Sequence, residues 1–489
     1  MNPKYFLKIL GCAANEADGQ RLRAVLASLG FQPTARSADA QLIILLACSV
    51  RQNAMDFIYR QSAQWHKRRK AGQLKTILSG CVLAEDKEKL APYFDWITEI
   101  TTLPSWPEKL AEWFASEINC APSATITSVS APTAPTTVLG TPSRAKTSTP
   151  ALTTPVSAPS PQGYPDREAH RDAATPLCDY LDLPADQDSP YAALVPIMNG
   201  CNNFCAYCAV PYTRGREVSR PLARIVTEVE QLLTQGYREI TLLGQNVNSY
   251  HCPETDADFP ALLRRLQALP GDFWLRFMTS HPKDLSPDLL TAISECDKVC
   301  EHLHLAVQSG SDQILQAMNR HYTRAHFEKL ATNFRTTIKK SRVGARQFCA
   351  VTTDVIVGFP GETADDFEQT ADLFRALKFD LAYIAQYSPR PGTAAAKLPD
   401  DVPAAEKKRR ADILNQILKQ TAAANNQKYL GQTLECLVIK KHAHNQLLAR
   451  TRTAKNVLIP TAAGLLGKIV AIKITQADAW GLWGEINDK

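Results

Sequence analysis

The chain has 489 residues, 45% of them hydrophobic and 21% charged, with a formal net charge of +6. That length allows about two to four domains, no run of apolar residues is long enough for a transmembrane helix, and the short apolar stretch near the N-terminus, broken by Lys8, lacks the core of a signal peptide. A cytoplasmic, mildly basic protein is expected, and its thirteen cysteines point to metal or redox chemistry rather than a disulfide framework.

The first segment alternates apolar runs with helical patterns. "KYFLKIL", "AQLIILLACS" and "LKTILSGC" read as buried strands, and "ADGQRLRAVLASLG" as a helix ending on a glycine cap. This predicts a small open domain with a parallel sheet over residues 1–118. The composition then changes. From Ala121 to Pro165, 33 of 45 residues are Ala, Pro, Ser or Thr, too little apolar surface to offset ordering entropy. Residues 119–188 are expected to be a disordered linker that tethers the first domain flexibly.

A second strand–helix pattern occupies 189–429. Its strands are "LVPIMNG", "EITLLGQN", "FWLRFMTS", "HLHLAVQ", "VTTDVIVGF" and "LAYIAQY", with amphipathic stretches between them. Six repeats predict a partial (β/α)6 barrel. Residues 403–428 read as one long helix leading outward. The last segment, 430–489, shows short strands between turn signals and is expected to be a small all-β barrel. It carries Lys440, Lys441, Arg450, Arg452 and Lys455 with no acid between them, a candidate RNA-binding surface.

Two sets of cysteines carry chemistry. Cys201, Cys205 and Cys208 follow the first barrel strand and so fall in a loop at the catalytic face. Three thiolates from one turn can hold three corners of a four-iron cluster, leaving the fourth iron open. A structural zinc site wants a fourth Cys or His nearby, and none is present at metal spacing. Cys12, Cys48 and Cys81 each lie just after a strand of the first domain, so they would converge on one sheet edge.

"GCNNFCAYCAVPYTRGREVSRP", with "LLGQNVNSY", "TSHP", "QSGSD" and "VIVGFPGET", resembles the radical S-adenosylmethionine (SAM) methylthiotransferase family, most of all its branch acting on isopentenyladenosine in tRNA. The resemblance spans nearly the whole chain outside the linker. It implies an α/β fold: an open parallel-sheet domain, a radical SAM barrel and a TRAM-like RNA-binding barrel. Cys201, Cys205 and Cys208 would be the catalytic cysteines holding the SAM cluster. Cys12, Cys48 and Cys81 would hold an auxiliary [4Fe-4S] cluster that supplies sulfur. Gly244, Gln245, Asn246, Gln308, Ser309 and Gly358 would line the SAM site. Where the family usually shows other residues beside the auxiliary cysteines, this chain has Ala13, Ala14, Leu46 and Ala47, and it has Ala306 where proline is common.

The implied reaction adds a methylthio group to C2 of N(6)-isopentenyladenosine beside the anticodon. The implied partners are SAM, a tRNA anticodon stem-loop and an electron donor such as a flavodoxin or ferredoxin, with the enzyme a monomer. Rival readings are a methylthiotransferase acting on threonylcarbamoyladenosine or on a ribosomal-protein aspartate, and a non-catalytic RNA-binding protein stabilised by zinc.

Overall fold

The computed structural model describes residues 2–49, 52–115 and 178–487. Its N-terminal sheet has five parallel strands. Lys4–Ile9 pairs with Gln32–Pro33 on one side and Leu42–Cys48 on the other, and Lys75–Cys81 and Trp96–Ile97 follow outward. The two central strands, LIILLAC and KTILSGC, are nearly continuous apolar runs, as strands covered on both faces must be. Alternate side chains feed two cores. Leu42, Ile44, Leu46 and Ile77 pack with Leu22, Val25 and Leu26 of helix Ala13–Ser28. Ile43, Leu45 and Leu78 pack with Met55, Ile58 and Trp65 of helix Gln52–Lys70.

Most of the expected linker lies outside the described residues, but its last part corrects the expectation. Asp179–Asp182 forms a 3-10 turn, and Tyr180 and Leu181 are buried in the same core as Leu22, Phe31 and Phe114. Arg21 Nε donates to the Leu181 carbonyl, and Arg23 pairs with Asp186 and Asp188. Tyr180 and Leu181, with Cys178 and Leu183 in the same core and these polar contacts beside them, pin residues 178–188 to the first domain. That domain is therefore seated on the barrel by buried contacts, including Arg21 with Glu228, and not held by a flexible tether alone.

The central domain places six parallel strands in chain order. Ala192–Pro196, Glu239–Leu243 and Trp274–Phe277 form one ribbon, and His302–His304, Ala350–Val357 and Leu381–Gln386 form another. Bridges Leu275↔Val299 and Ser280↔Leu305 join the two. Among the described residues the first and last strands do not pair, so the barrel is partial, as the six repeats predict. Ile240, Leu242, Leu275, Phe277, Leu303, Val351 and Val355 belong to the large core under the surrounding helices. The alternate positions therefore face the lumen, and many of them are polar: Glu239, Thr241, Arg276, His302, His304, Thr352, Asp354 and Tyr383.

Helix Ala404–Gln427 does not lead outward. Its Ala411, Leu414 and Leu418 join the barrel core, and Arg410 pairs with Glu362. The expected outward course fails because its apolar stripe has a partner waiting on the barrel. The helix delivers the chain to a closed five-stranded barrel in the order Thr433–His442, Gln446–Thr451, Asn456–Pro460, Leu482–Ile486, Ile469–Ala477. Among the described residues no helix is long and apolar enough to cross a membrane.

Candidate active site

Cys201, Cys205 and Cys208 sit in the loop after the first barrel strand and its extension Met198–Asn199. Gly200 turns the chain there with φ +81, and Cys201 N–H donates to the Gly215 carbonyl at 3.2 Å, folding the loop back on itself. Cys208 N–H donates to the Cys205 carbonyl at 2.9 Å. Each of two sulfurs has a donor. Asn203 Nδ2 stands 3.5 Å from Cys201 Sγ, and Arg320 Nη1 stands 3.3 Å from Cys205 Sγ. Arg320 is held in turn by the Ala306 carbonyl and the Tyr322 hydroxyl. Burial, then the neighbouring Cys205, pushes the Cys208 thiol up to about 12.

The neighbouring strand ends supply polar groups with no protein partner. Gln245 Oε1, both amide atoms of Asn248, Ser280 Oγ and His281 Nε2 are buried without a hydrogen bond. Orphaned polar atoms at the catalytic end of a barrel suit a polar ligand such as SAM. Sequence reading singled out Gln245 but not Asn248, Ser280 or His281, although the "TSHP" stretch that contains two of them was a visible signal. Burial, with Arg320 next, holds the His281 imidazole down to about 2.

The other expected SAM-site residues divide. Gly244 lies against Met198, whose Sδ would be 2.8 Å from an added Cβ. The Asn246 side chain is spent on structure: it donates to Ser249 and Asp284 and accepts from His281 N–H. Ser309 is fully buried and accepts from Ser311 N–H, so it shapes a turn. Gln308 adopts φ +70 and its N–H donates to the Asp354 carbonyl. Gly358, at φ +70, makes room for the Lys407 stem.

The second trio does converge. Cys48 and Cys81 end adjacent strands and are register partners. A Cβ on Gly11, next to Cys12, would stand 3.1 Å from Cys48 Cβ. Asn15 ties this edge together: its Nδ2 donates to the carbonyls of Leu10 and Ala47. Burial pushes the Cys81 thiol up to about 12, with Arg214 pulling against it. Among the described residues no three His, Cys, Asp or Glu side chains close around a single metal ion.

One side chain of the Cys201 loop reaches the second trio: Arg214 Nε stands 3.0 Å from Cys81 Sγ. A small cavity between the domains is lined by Ala14 and Asp18 on one side and Met198, Arg214, Gly244 and Gln245 on the other. Of the arginines after the cysteine loop, Arg214 and Arg220 are buried in ion pairs with Asp18 and with Asp182 and Glu228. Arg216 stays exposed and lies over the Phe204 ring, 4.3 Å from its centroid.

The expected RNA-binding set needs correction. Arg452 is buried, donating to Glu301 and to the carbonyls of Asp297 and Val299. Lys455 is buried against Asp380 at 2.8 Å, and Arg450 pairs with Glu239 at 2.8 Å. Arg276 adds two bonds to the Thr451 and Arg452 carbonyls. These charges dock the small barrel on the large one, so Arg450, Arg452 and Lys455 are committed within the protein. Lys440 and Lys441 alone of the five are exposed.

Three family models match the chain in order: "Uncharacterized protein family UPF0004" over residues 4–100, "Radical SAM superfamily" over 195–374 and "TRAM domain" over 427–486. A protein of Moorella thermoacetica named tRNA-2-methylthio-N(6)-dimethylallyladenosine synthase is 37% identical, the match covering 98% of this chain and 97% of that one. Proteins of the same name from Clostridium novyi and Thermoanaerobacter pseudethanolicus are 37% and 36% identical over 99% of this chain and 97% and 93% of theirs. A solved radical SAM methyltransferase of Kitasatospora setae is 15% identical over 81% of this chain and 77% of that one, with a TM-score of 0.49.

Proposed function

Because the chain belongs to the tRNA-2-methylthio-N(6)-dimethylallyladenosine synthases, radical SAM methylthiotransferases that act on tRNA, we propose the following division of labour among its residues. Cys201, Cys205 and Cys208 hold the [4Fe-4S] cluster that binds SAM, and Cys12, Cys48 and Cys81 hold a second, sulfur-supplying cluster. The product is a methylthio group on C2 of N(6)-isopentenyladenosine beside the anticodon. The observation that carries this reading is Arg214, which leaves the loop of Cys201 and places its Nε 3.0 Å from Cys81 Sγ, since sulfur handed to a base must come from beside the place where the base is activated.

When bound, the first cluster supplies the electron that splits SAM and so permits attack on a C–H position that no side-chain base can deprotonate. The protein's own residues do the rest. Arg320 and Asn203 donate to cysteine sulfurs and steady their charge. Gln245, Asn248, Ser280 and His281 offer the unpaired polar atoms that a bound SAM would satisfy.

The base has a route in. The barrel is open between its first and last strands, and Tyr383 on the last strand is 56% exposed. Its ring meets His304, whose Nε2 lies 3.2 Å from Asp354. An aromatic face beside hydrogen-bonding groups suits a splayed-out loop base. Exposed Arg216, Lys440 and Lys441 remain for phosphates.

The test is nucleoside mass spectrometry of tRNA from a host lacking the activity, with and without this protein, with ribosomal protein from the same cells in parallel. A methylthio gain on isopentenyladenosine is expected. A gain on threonylcarbamoyladenosine, or on the ribosomal protein alone, would move the substrate, and no gain from a protein loaded with iron at both trios would overturn the reading.

A further inference from the structure

Arg214 belongs to the loop of Cys201 by sequence and to the site of Cys81 by contact. Its backbone is fixed in the first site: its N–H donates to the Val210 carbonyl at 2.8 Å, and its own carbonyl accepts from Asn199 Nδ2 at 3.2 Å. The next residue, Gly215, accepts from Cys201 N–H. Its side chain crosses into the other domain. Nε stands 3.0 Å from Cys81 Sγ, and Nη2 donates to Asn15 Oδ1 at 2.8 Å and Asp18 Oδ2 at 2.6 Å. Nη1 turns back to Asn199 Oδ1 at 3.1 Å.

This contact set exceeds what docking needs. The pair with Asp18, nearly sealed from water, already neutralises the guanidinium and joins the domains. A neutral clamp at this depth is close to break-even against an apolar one. The Nε donor aimed at sulfur is the part that docking leaves unexplained. It is also not alone, because Arg390, which follows the last barrel strand, counts Cys48 among its electrostatic neighbours. Arg214 thus contacts one thiol of the N-terminal domain, and Arg390 interacts electrostatically with another.

We propose that Arg214 is a positioning residue shared by the two thiol sites: it fixes the auxiliary cluster relative to the SAM loop and, by donating to the Cys81 sulfur, sets that cluster's reduction potential. The proposal rests on the reading of Cys12, Cys48 and Cys81 as cluster ligands. Reduction adds negative charge to the cluster, and hydrogen bonds and positive charge at its sulfurs favour the reduced form. Removing the guanidinium therefore lowers the potential. Removing the charge of Asp18 while keeping Arg214 raises it.

The experiment uses the full chain carrying Cys201→Ala, Cys205→Ala and Cys208→Ala, so that any cluster bound is the auxiliary one. Into it go Arg214→Gln, Arg214→Lys and Asp18→Asn. Iron content, the electron paramagnetic resonance (EPR) spectrum of the reduced protein and the midpoint potential are read for each, without assaying turnover. The expected order of potentials is Arg214→Gln lowest, Arg214→Lys between it and the parent, and Asp18→Asn above the parent, with altered EPR lines in both Arg214 variants. If Arg214→Gln fails to fold, the Lys and Asn variants still carry the prediction in opposite directions. Unchanged spectra and potentials in iron-loaded variants would overturn the proposal and leave Arg214 a strut. A parent that binds no iron would overturn the auxiliary-cluster reading itself, and the proposal with it.

Discussion

Gly200 packs directly beneath the Arg216 carbonyl, so closely that any Cβ there would overlap that oxygen and stand 2.7 Å from the Gly215 carbonyl oxygen as well. The residue also holds φ +81, where a side chain is strained. Gly200→Ala must therefore open the loop that carries the three cysteines. SAM cleavage, read as 5′-deoxyadenosine, is expected to fall on the order of a hundredfold, the penalty for misplacing reacting groups by about an ångström. Unaltered iron content and cleavage in that variant would show that the loop's closure is incidental.

Replacing any one of Cys201, Cys205 or Cys208 by Ala should abolish 5′-deoxyadenosine formation. The C-terminal barrel has its own core of Leu434, Cys436, Val438, Leu447, Val457 and Ile472. It should therefore remain folded by circular dichroism. Undiminished cleavage would remove the cluster assignment.

Arg452→Ala removes the Nε bond to Glu301 Oε2 and the bonds to the Asp297 and Val299 carbonyls, while Arg342 and Arg346 still hold Glu301. Leaving buried acceptors without their charged donor costs about 1–3 kcal/mol. Denaturant titration should show the C-terminal barrel separating in an earlier transition of its own. A single unshifted transition would mean the interface is held by its apolar contacts, Trp274, Cys300 and Leu437.

Lys440→Ala with Lys441→Ala should weaken tRNA binding without touching the fold, since both residues are exposed. If each contacts a phosphate, the slope of log K against log salt flattens by about 2. Binding measured from low to moderate salt decides this, and an unchanged slope would place the RNA elsewhere.

His281 gives the metal-free protein a pH dependence of defined sign. Its folded pKa, about 2, lies below the ordinary 6.5. Between those values the unfolded chain binds a proton that the folded one refuses. Stability is thus full above pH 6.5 and drains as pH falls, by about 2 kcal/mol at pH 5. Urea titrations at pH 7 and 5 should show that loss, and His281→Gln should shrink it.

What the sequence disclosed and what it hid follow from how far apart the partners lie. Cys12, Cys48 and Cys81 were legible because position after a strand is local, and parallel strands bring their ends to one edge. The barrel was legible from repeating apolar runs. Arg450, Arg452 and Lys455 misled because their acids, Glu239, Glu301 and Asp380, lie 211, 151 and 75 residues away. A run of basic residues shows its charge but not its neutralisation. Arg214 was visible as one of three arginines after the cysteines, yet nothing in its surroundings along the chain named Asp18 or Cys81 as its contacts. Tyr180 and Leu181 went unread as anchors because two apolar residues make no period.

The small barrel's acidic anchors, Glu239, Glu301 and Asp380, stand at or just before the starts of three barrel strands, whereas the cysteines of the reacting loop come after the end of another. The two ends are separated by a strand of five residues, about 17 Å of protein before any loop is counted. On the proposed reading, in which Lys440 and Lys441 hold the RNA while the cysteine loop's end of the barrel alters it, the nucleic acid has to span that gap along the barrel's flank. That reading makes the enzyme a gauge of reach: a stem with its loop at the right distance is modified, and a loose nucleoside or a short hairpin, whatever base it carries, is not.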